Sequence, residues 1–205
     1  MVVLLNMHRT LDLYLIPRRN RYILFAATDV VEQCEIESGD RIRKTINWLK
    51  GRQNRLVAWM GRMLQSAHGH YMRLEDRIDP MERVLKAIAC SSELVVHYPE
   101  ALVESEARTR FREILRKQRL KHIFWLSIDG VITVGVVALT PILMPIPGPN
   151  VFFYYPALRL LSHHRARRGS ASALGSMPVQ YKSLRDFASV EENLRGLDRY
   201  LERMV

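Results

Sequence analysis

Residues 123–161 read IFWLSIDGVITVGVVALTPILMPIPGPNVFFYYPALRLL, an almost wholly apolar run with a Pro/Gly turn in its middle and a single acidic residue, Asp129. A run this long is unusual in a chain that folds in water, whereas a membrane-spanning helix requires about 20 predominantly apolar residues. Residues 122–139 make about 27 Å of helix at about 1.5 Å per residue, close to the thickness of a hydrocarbon core. Pro141, Pro145, Pro147 and Pro149 then forbid regular helix, since each lacks an amide donor and restricts the residue before it. Residues 150–161 are too few for a second standard span. The reading is a membrane hairpin of one span plus a re-entrant half. The alternative is a hydrophobic hairpin buried in a helical protein that meets no membrane.

Both flanks of the run are basic, with Arg112, Arg116, Lys117, Arg119 and Lys121 before it and Arg159, Arg165, Arg167 and Arg168 at and beyond its end. Positive flanks favour the cytoplasmic or matrix side, so both ends of a hairpin would face the same compartment. Trp125, Tyr154 and Tyr155 are residue types favoured at headgroup depth. Together with Lys121, Arg159, Arg165, Arg167 and Arg168 they form the candidate membrane-surface contact. The chain carries 31 Lys and Arg against 21 Asp and Glu, a net charge of +10. An excess of this size suits an anionic partner, either phospholipid headgroups or nucleic acid.

An ionisable group inside an apolar run is costly to bury and marks a functional candidate. Two readings of Asp129 stand. In one it sits near the interface and pairs with Lys121 or an arginine. In the other it is a cation or proton site, where an incoming cation displaces a proton. On the second reading Asp129, Ser127 and Asn150 line an ion pathway that an oligomer or a membrane partner completes.

The rest of the chain alternates short apolar runs with helical patterns. Residues 11–16 and 22–27 read as a strand pair about the polar stretch that begins at Pro17. From Asp40 a helical face runs through Ile42, Ile46, Leu49, Leu56 and Met60, with Arg41, Lys44, Arg52 and Arg55 opposite. Asp79, Pro80 and Glu82 make a helix start, because Asp caps free amides and Pro suits the first helical position. That helix should end near Cys90. Residues 93–98 read as a third strand, followed by a helix from Pro99 to Leu120. Residues 169–178 read as a small-residue linker. Residues 182–204 read as an amphipathic helix, with Leu184, Phe187, Leu194, Leu197 and Leu201 on one side and Ser183 and Asp186 at its start. The expected fold is mainly α with a few short strands. It comprises a small basic α+β domain over residues 1–120, a hydrophobic membrane hairpin over residues 121–162, and a basic linker with an amphipathic C-terminal helix over residues 163–205.

Cys34 and Cys90 lie far apart in sequence and match no metal or redox spacing, so reduced thiols are expected. His68, His70, His163 and His164 lack acidic or cysteine partners at ligand spacing, and read as solvated or interfacial side chains. Glu75, Asp76, Asp79 and Glu82 alternate with Arg73, Arg77 and Arg83, which makes an ion-pair cluster rather than acid–base machinery. The sequence contains no P-loop, no GxSxG elbow and no HExxH. No enzyme activity, cofactor or metal is expected. Nucleic acid is disfavoured as a partner, because few aromatics interleave with the basic face. The opening residues have too short an apolar core for a secretory signal, and Asp12 arrives early, so insertion without cleavage is expected.

Several blocks occur in an order shared with a known family. They are DLYLIP at residues 12–17, LEDRIDP at residues 74–80 leading to Glu82 and Leu85, and LVVHYP at residues 94–99. After the apolar run starts come PGPNVFFYY at residues 147–155, then Arg159, Ser162, His163, Arg165, Ala166, Gly169 and Ser170. The chain resembles the mitochondrial potassium–proton exchange-related family, up to about residue 175. The resemblance implies a small inner-membrane protein linked to potassium–proton exchange and volume homeostasis, as exchanger or accessory subunit. The alternative is a membrane-anchored interaction module without transport activity. Expected partners are membrane lipids, a second copy or a membrane protein held through the C-terminal helix, and potassium and protons if exchange holds. The expected location is a bacterial inner membrane, with the mitochondrial inner membrane as the alternative.

Overall fold

A computed structural model describes residues 10–18, 21–27, 79–143 and 150–202, together with Val30, Val31, Gln33, Cys34, Lys44, Asn47, Trp48, Gly51 and Gln65. The chain divides into two units that are each discontinuous. One comprises Met1–Cys34, Asp79–Leu120 and Arg165–Val205, the other Glu35–Ile78 and Lys121–His164.

The first unit is organised by a sheet. Strand β1 (Thr10–Arg18) alternates Leu11, Leu13 and Leu15 toward the core with Asp12 and Tyr14 on the other face, the period-2 pattern of a strand. It pairs antiparallel with β2 (Arg21–Ala26), with Leu15 opposite Leu24 and Arg18 opposite Arg21. Strand β3 (Glu93–Pro99) lies parallel to β1, with Leu11 opposite Leu94 and Leu13 opposite Val96. Strand β4 (Val179–Leu184) lies parallel to β3, with Val96 opposite Tyr181. The order across the sheet is β2-β1-β3-β4.

Helix α1 (Pro80–Cys90) starts as the sequence requires, with the Asp79 carboxylate accepting the Met81 amide at 3.0 Å and Pro80 at the first position. It buries Met81, Val84, Leu85, Ala87 and Ile88, one face of a 3.6-residue period. Helix α2 (Glu104–Leu143) contributes Ala107, Phe111 and Leu115 to the same core, each one turn beyond the last. Each such leucine or phenylalanine contributes about 1.5–3 kcal/mol by leaving water. Phe111 meets the Tyr181 ring edge-on at 6.2 Å, and Arg108 covers the same tyrosine at 5.1 Å. Burial raises the Tyr181 pKa, against the opposing pull of Arg108 and Arg112.

Helix α3 (Asn150–Leu174) carries the residues read as a linker from 169 onward. The small residues serve close packing. A Cβ on Gly169 would stand 2.0 Å from the Leu85 carbonyl oxygen, so only glycine lets α3 approach α1 there. Ser170 is fully buried and donates to the Ala166 carbonyl at 3.0 Å.

The C-terminal region departs from one amphipathic helix. Its first residues are drawn into β4, since the Leu94 amide donates to the Pro178 carbonyl and the ladder continues to Pro99 and Leu184. Pairing with β3 satisfies more backbone than an isolated helix end could. Two short helices follow, α4 (Phe187–Asn193) and α5 (Leu197–Glu202), separated at Gly196 with φ of 83°. Asp186 caps α4 by accepting the Ser189 amide at 3.3 Å. The apolar positions keep their inward role, with Phe187, Leu197 and Tyr200 buried. The Tyr200 hydroxyl donates to the Leu24 carbonyl at 2.8 Å, and its ring meets Phe25 edge-on at 5.2 Å. Burial, reinforced by the Asp79 charge, raises its pKa well above the ordinary 10.0. Arg18 pairs with Glu191. Cys34 and Cys90, expected as reduced thiols, are joined in a disulfide with Cα atoms 6.6 Å apart.

In the second unit, the described parts are the end of α2, the start of α3, and Lys44, Asn47, Trp48, Gly51 and Gln65. Among the described residues no helix is long and apolar enough to cross a membrane, which overturns the expected membrane hairpin. The apolar run does not form helices of its own. It is shared between the far end of α2, whose beginning is dense in Arg, Lys and Glu, and the near end of α3, which continues into His163, His164, Arg165, Arg167 and Arg168. The fold is therefore α+β about a four-stranded sheet, in place of a mainly α chain with a membrane hairpin and a C-terminal helix. The helix read from Asp40 and the pair His68 and His70 lie outside the described residues, apart from Lys44, Asn47, Trp48 and Gly51 of that helix.

Candidate functional site

His122, Trp125 and Asp129 are spaced i, i+3 and i+7 on α2, which places them on one helical face. Arg159 and His163 are one turn apart on α3 and form the matching face. The helices lie close at this level, since a Cβ on Gly130 would meet the Leu160 side chain at an ordinary contact distance of 3.6 Å.

Asp129 is only 3% exposed. Its Oδ2 lies 3.5 Å from Arg159 Nε and 3.5 Å from His163 Nε2. Beyond that contact His163 Nδ1 faces His122 Nδ1 at 3.0 Å, with both rings buried. One nitrogen must donate and the other accept. The carboxylate beside His163 Nε2 favours a proton on that nitrogen, which leaves Nδ1 as the acceptor and makes His122 Nδ1–H the donor. A line of contacts thus runs from His122 through a hydrogen bond to His163, and on through a 3.5 Å ion-pair contact to Asp129.

Trp125 closes one side of this line. Its indole stacks on His163 at 6.5 Å between centroids, and Arg159 sits over it at 5.2 Å. The guanidinium is therefore held between an aromatic face and a carboxylate, both of which attract it. The Arg159 side chain remains 34% exposed, so water reaches the outer end of the line while its histidines stay buried.

The structure sorts the residues singled out in the sequence. Asp129 is paired with an arginine, as one of the two readings held, and the partner is Arg159. Ser127 points elsewhere, being exposed and donating to the Ile123 carbonyl at 3.0 Å. The side chains of Asn150, Tyr154 and Tyr155 lie outside the described residues. Trp125 is half-buried against Arg159 and His163. Lys121 and Arg168 are exposed, and Arg165 and Arg167 are half-buried.

His122 and His163 are the members the sequence reading missed. The sequence places His163 among solvated or interfacial histidines, yet it is buried beside its exposed neighbour His164. The signal was present in the spacings from His122 to Asp129 and from Arg159 to His163, which put each pair on one helix face. Which two faces would meet was not written in either spacing.

The chain matches, over residues 13–176, the family described as mitochondrial K+-H+ exchange-related, and it belongs to that family. The resemblance read from the sequence blocks is thereby borne out. The family description carries the mitochondrion and potassium–proton exchange, and it lends no support to a bacterial inner-membrane location. No curated protein and no solved structure matches the chain.

Proposed function

Given that membership, we propose that the protein serves mitochondrial potassium–proton exchange as a proton-responsive component, with the line His122–His163–Asp129 taking up and passing the proton. The observation that carries this reading is the buried contact of Asp129 with His163, continued to His122. Imidazole is the side chain whose charge ordinarily changes between about pH 5 and 8, and two of them in series with a carboxylate can relay a proton by exchanging donor and acceptor roles. Potassium is served poorly here. A cation shedding water needs several oxygen ligands, as carbonyl rings supply in potassium channels. The Asp129 carboxylate is instead already neutralised by the Arg159 guanidinium. The role proposed is thus the proton side of the exchange, as an accessory component without covalent chemistry.

The test is potassium-driven proton flux across mitochondria whose own copy is replaced by the wild-type chain, Asp129→Asn or His163→Gln. The expected result is a flux about tenfold lower, equivalent to about 1.4 kcal/mol on the barrier, with protein level unchanged. Flux and pH profile equal to wild type in both variants would remove the line from the mechanism.

A second reading, an interaction module, is favoured by the outward face of α2. Phe124, Val131 and Val134 are 61%, 75% and 69% exposed. Large exposed apolar side chains in one stretch mark interaction surfaces. Replacing all three by serine should leave flux intact on the first reading and abolish partner capture on the second.

A further inference from the structure

We propose that His122 and His163 form the nucleus of a transition-metal site, taking a divalent ion of the zinc class between their Nδ1 atoms. The inference concerns residues of the proton line but stands without that function. The geometry is already close to ligation. Zinc binds imidazole nitrogen at about 2.0–2.1 Å with tetrahedral angles, which sets two ligand nitrogens about 3.3 Å apart. The two Nδ1 atoms are 3.0 Å apart, so a parting of a few tenths of an ångström admits the ion. The same tetrahedral arrangement places two imidazole centroids about 5 Å apart. The observed separation is 5.2 Å, with the rings tilted by 40°. With the Nδ1 atoms 3.0 Å apart, that centroid separation means the rings face one another nearly end-on, so they swing slightly as well as part to converge on the ion.

Asp129 supplies the second requirement. A metal-bound histidine ordinarily donates its other nitrogen to a carboxylate, which fixes the tautomer and strengthens the ligand. His163 presents Nε2 to Asp129 Oδ2 at 3.5 Å while its Nδ1 faces His122. Asp129 is therefore a positioning residue, oriented in turn by Arg159. Binding shifts one proton within His122, from Nδ1 to Nε2, so both Nδ1 lone pairs point at the ion and no net charge leaves the pair. Water completes the coordination. Imidazole pairs suit zinc, copper and nickel, whereas magnesium and calcium require oxygen donors.

The experiment is titration of the purified full-length chain with zinc alone against a competing chromophoric chelator, paired with cobalt(II) absorption. Wild type should bind one zinc ion with a measurable affinity, and cobalt should give the intense visible bands of a tetrahedral site. His122→Gln and His163→Gln should each weaken zinc by about 100-fold, and Asp129→Asn by about 10-fold, within the range of outer-partner losses. His164→Gln, one residue away and exposed, should match wild type. Wild type that binds no zinc, or His163→Gln and His122→Gln chains that bind as wild type does, would overturn the site. Circular dichroism of each variant identifies loss of fold. Should a histidine variant unfold, the wild-type cobalt spectrum decides alone: octahedral, weak bands overturn the proposal and tetrahedral bands sustain it. Zinc binding is read on the isolated chain and proton flux in mitochondria, so either proposal can fail while the other holds.

Discussion

In the unit that carries the sheet, the interior is mostly hydrocarbon: Leu11, Leu13, Leu15, Leu85, Ile88, Leu94, Val96 and Phe111 are buried, the buried Glu82 is paired with Lys86 at 3.2 Å, and Arg108, Arg110, Arg112 and Arg116 of α2 stand outside. In the described part of the other unit the interior holds His122, Asp129, Ser162 and His163, while Phe124, Val131, Ile132 and Val134 face outward. The first arrangement is what water alone selects, because each buried apolar side chain gains from leaving it. The second costs stability, because polar groups lose hydration and are repaid only by well-formed contacts among themselves. A region that keeps ionisable groups inside and apolar groups outside is organised for something other than its own stability. The difference teaches where to look for function in this chain.

The largest expected effect tests the first half of that comparison. Phe111→Ala removes a ring that is 1% exposed, and should cost about 3–5 kcal/mol by chemical denaturation of the full chain. A loss below about 1 kcal/mol would mean that α2 is not part of the sheet's core.

The next variant addresses the polar interior. Asp129→Leu leaves Arg159 without its carboxylate and should cost about 3 kcal/mol, at the lower end for a broken buried pair because the guanidinium is partly exposed. Adding Arg159→Met should restore most of that loss, since an apolar pair can replace a buried ion pair at little cost. A double variant as unstable as the single one would show that the ion pair itself supports the fold, and the contrast between the units would narrow.

A smaller effect returns to the sheet. Tyr200→Phe deletes the hydroxyl that donates to Leu24 and should cost about 1 kcal/mol. Because the folded state holds the phenol pKa above its ordinary 10.0, the native form retains a proton that the unfolded chain releases. The contribution is whole below pH 10 and is lost progressively as pH rises above it. Unfolding midpoints followed from pH 8 to 11 should fall for wild type and fall less for Tyr200→Phe. Equal slopes would place Tyr200 outside the alkaline transition.

The smallest effect concerns the outward apolar face. Phe124→Ser should change stability by less than about 0.5 kcal/mol, because the ring is already 61% exposed. Its cost should appear only in association, read as self-assembly by sedimentation. A destabilisation above about 1 kcal/mol would mean that the ring is packed, and the reversal of polarity would be lost at that position.

Much of the sheet unit was legible from the sequence because its signals are local. The alternation in residues 11–16 and the Asp79, Pro80 and Glu82 start each act within a few residues, and β1, β3 and α1 follow them. β4 was not legible, since residues 179–184 become a strand by pairing with β3, a partner some 85 residues away by the register of Leu94 with Val179. Gly169 read as a linker residue for the same reason. Its meaning lies in the Leu85 carbonyl that a side chain would strike. The apolar run was legible as hydrophobic, but hydropathy has the same appearance in a span and in a helix that turns part of itself outward.

Of the candidate site, Asp129 could be picked out from the chain alone, and pairing with Lys121 or an arginine was one of the readings open for it, while Arg159 read as a membrane-surface residue. The sequence by itself determined the family, the strand pattern about residues 11–16 and 93–98, and the presence of one carboxylate in an apolar stretch. Periodicity, capping chemistry and ordered blocks are properties of neighbouring residues, and they survive without a fold. Tertiary structure alone decided that His163 lies between Asp129 and His122, because helical spacing determines which residues share a face but not which face another helix will meet.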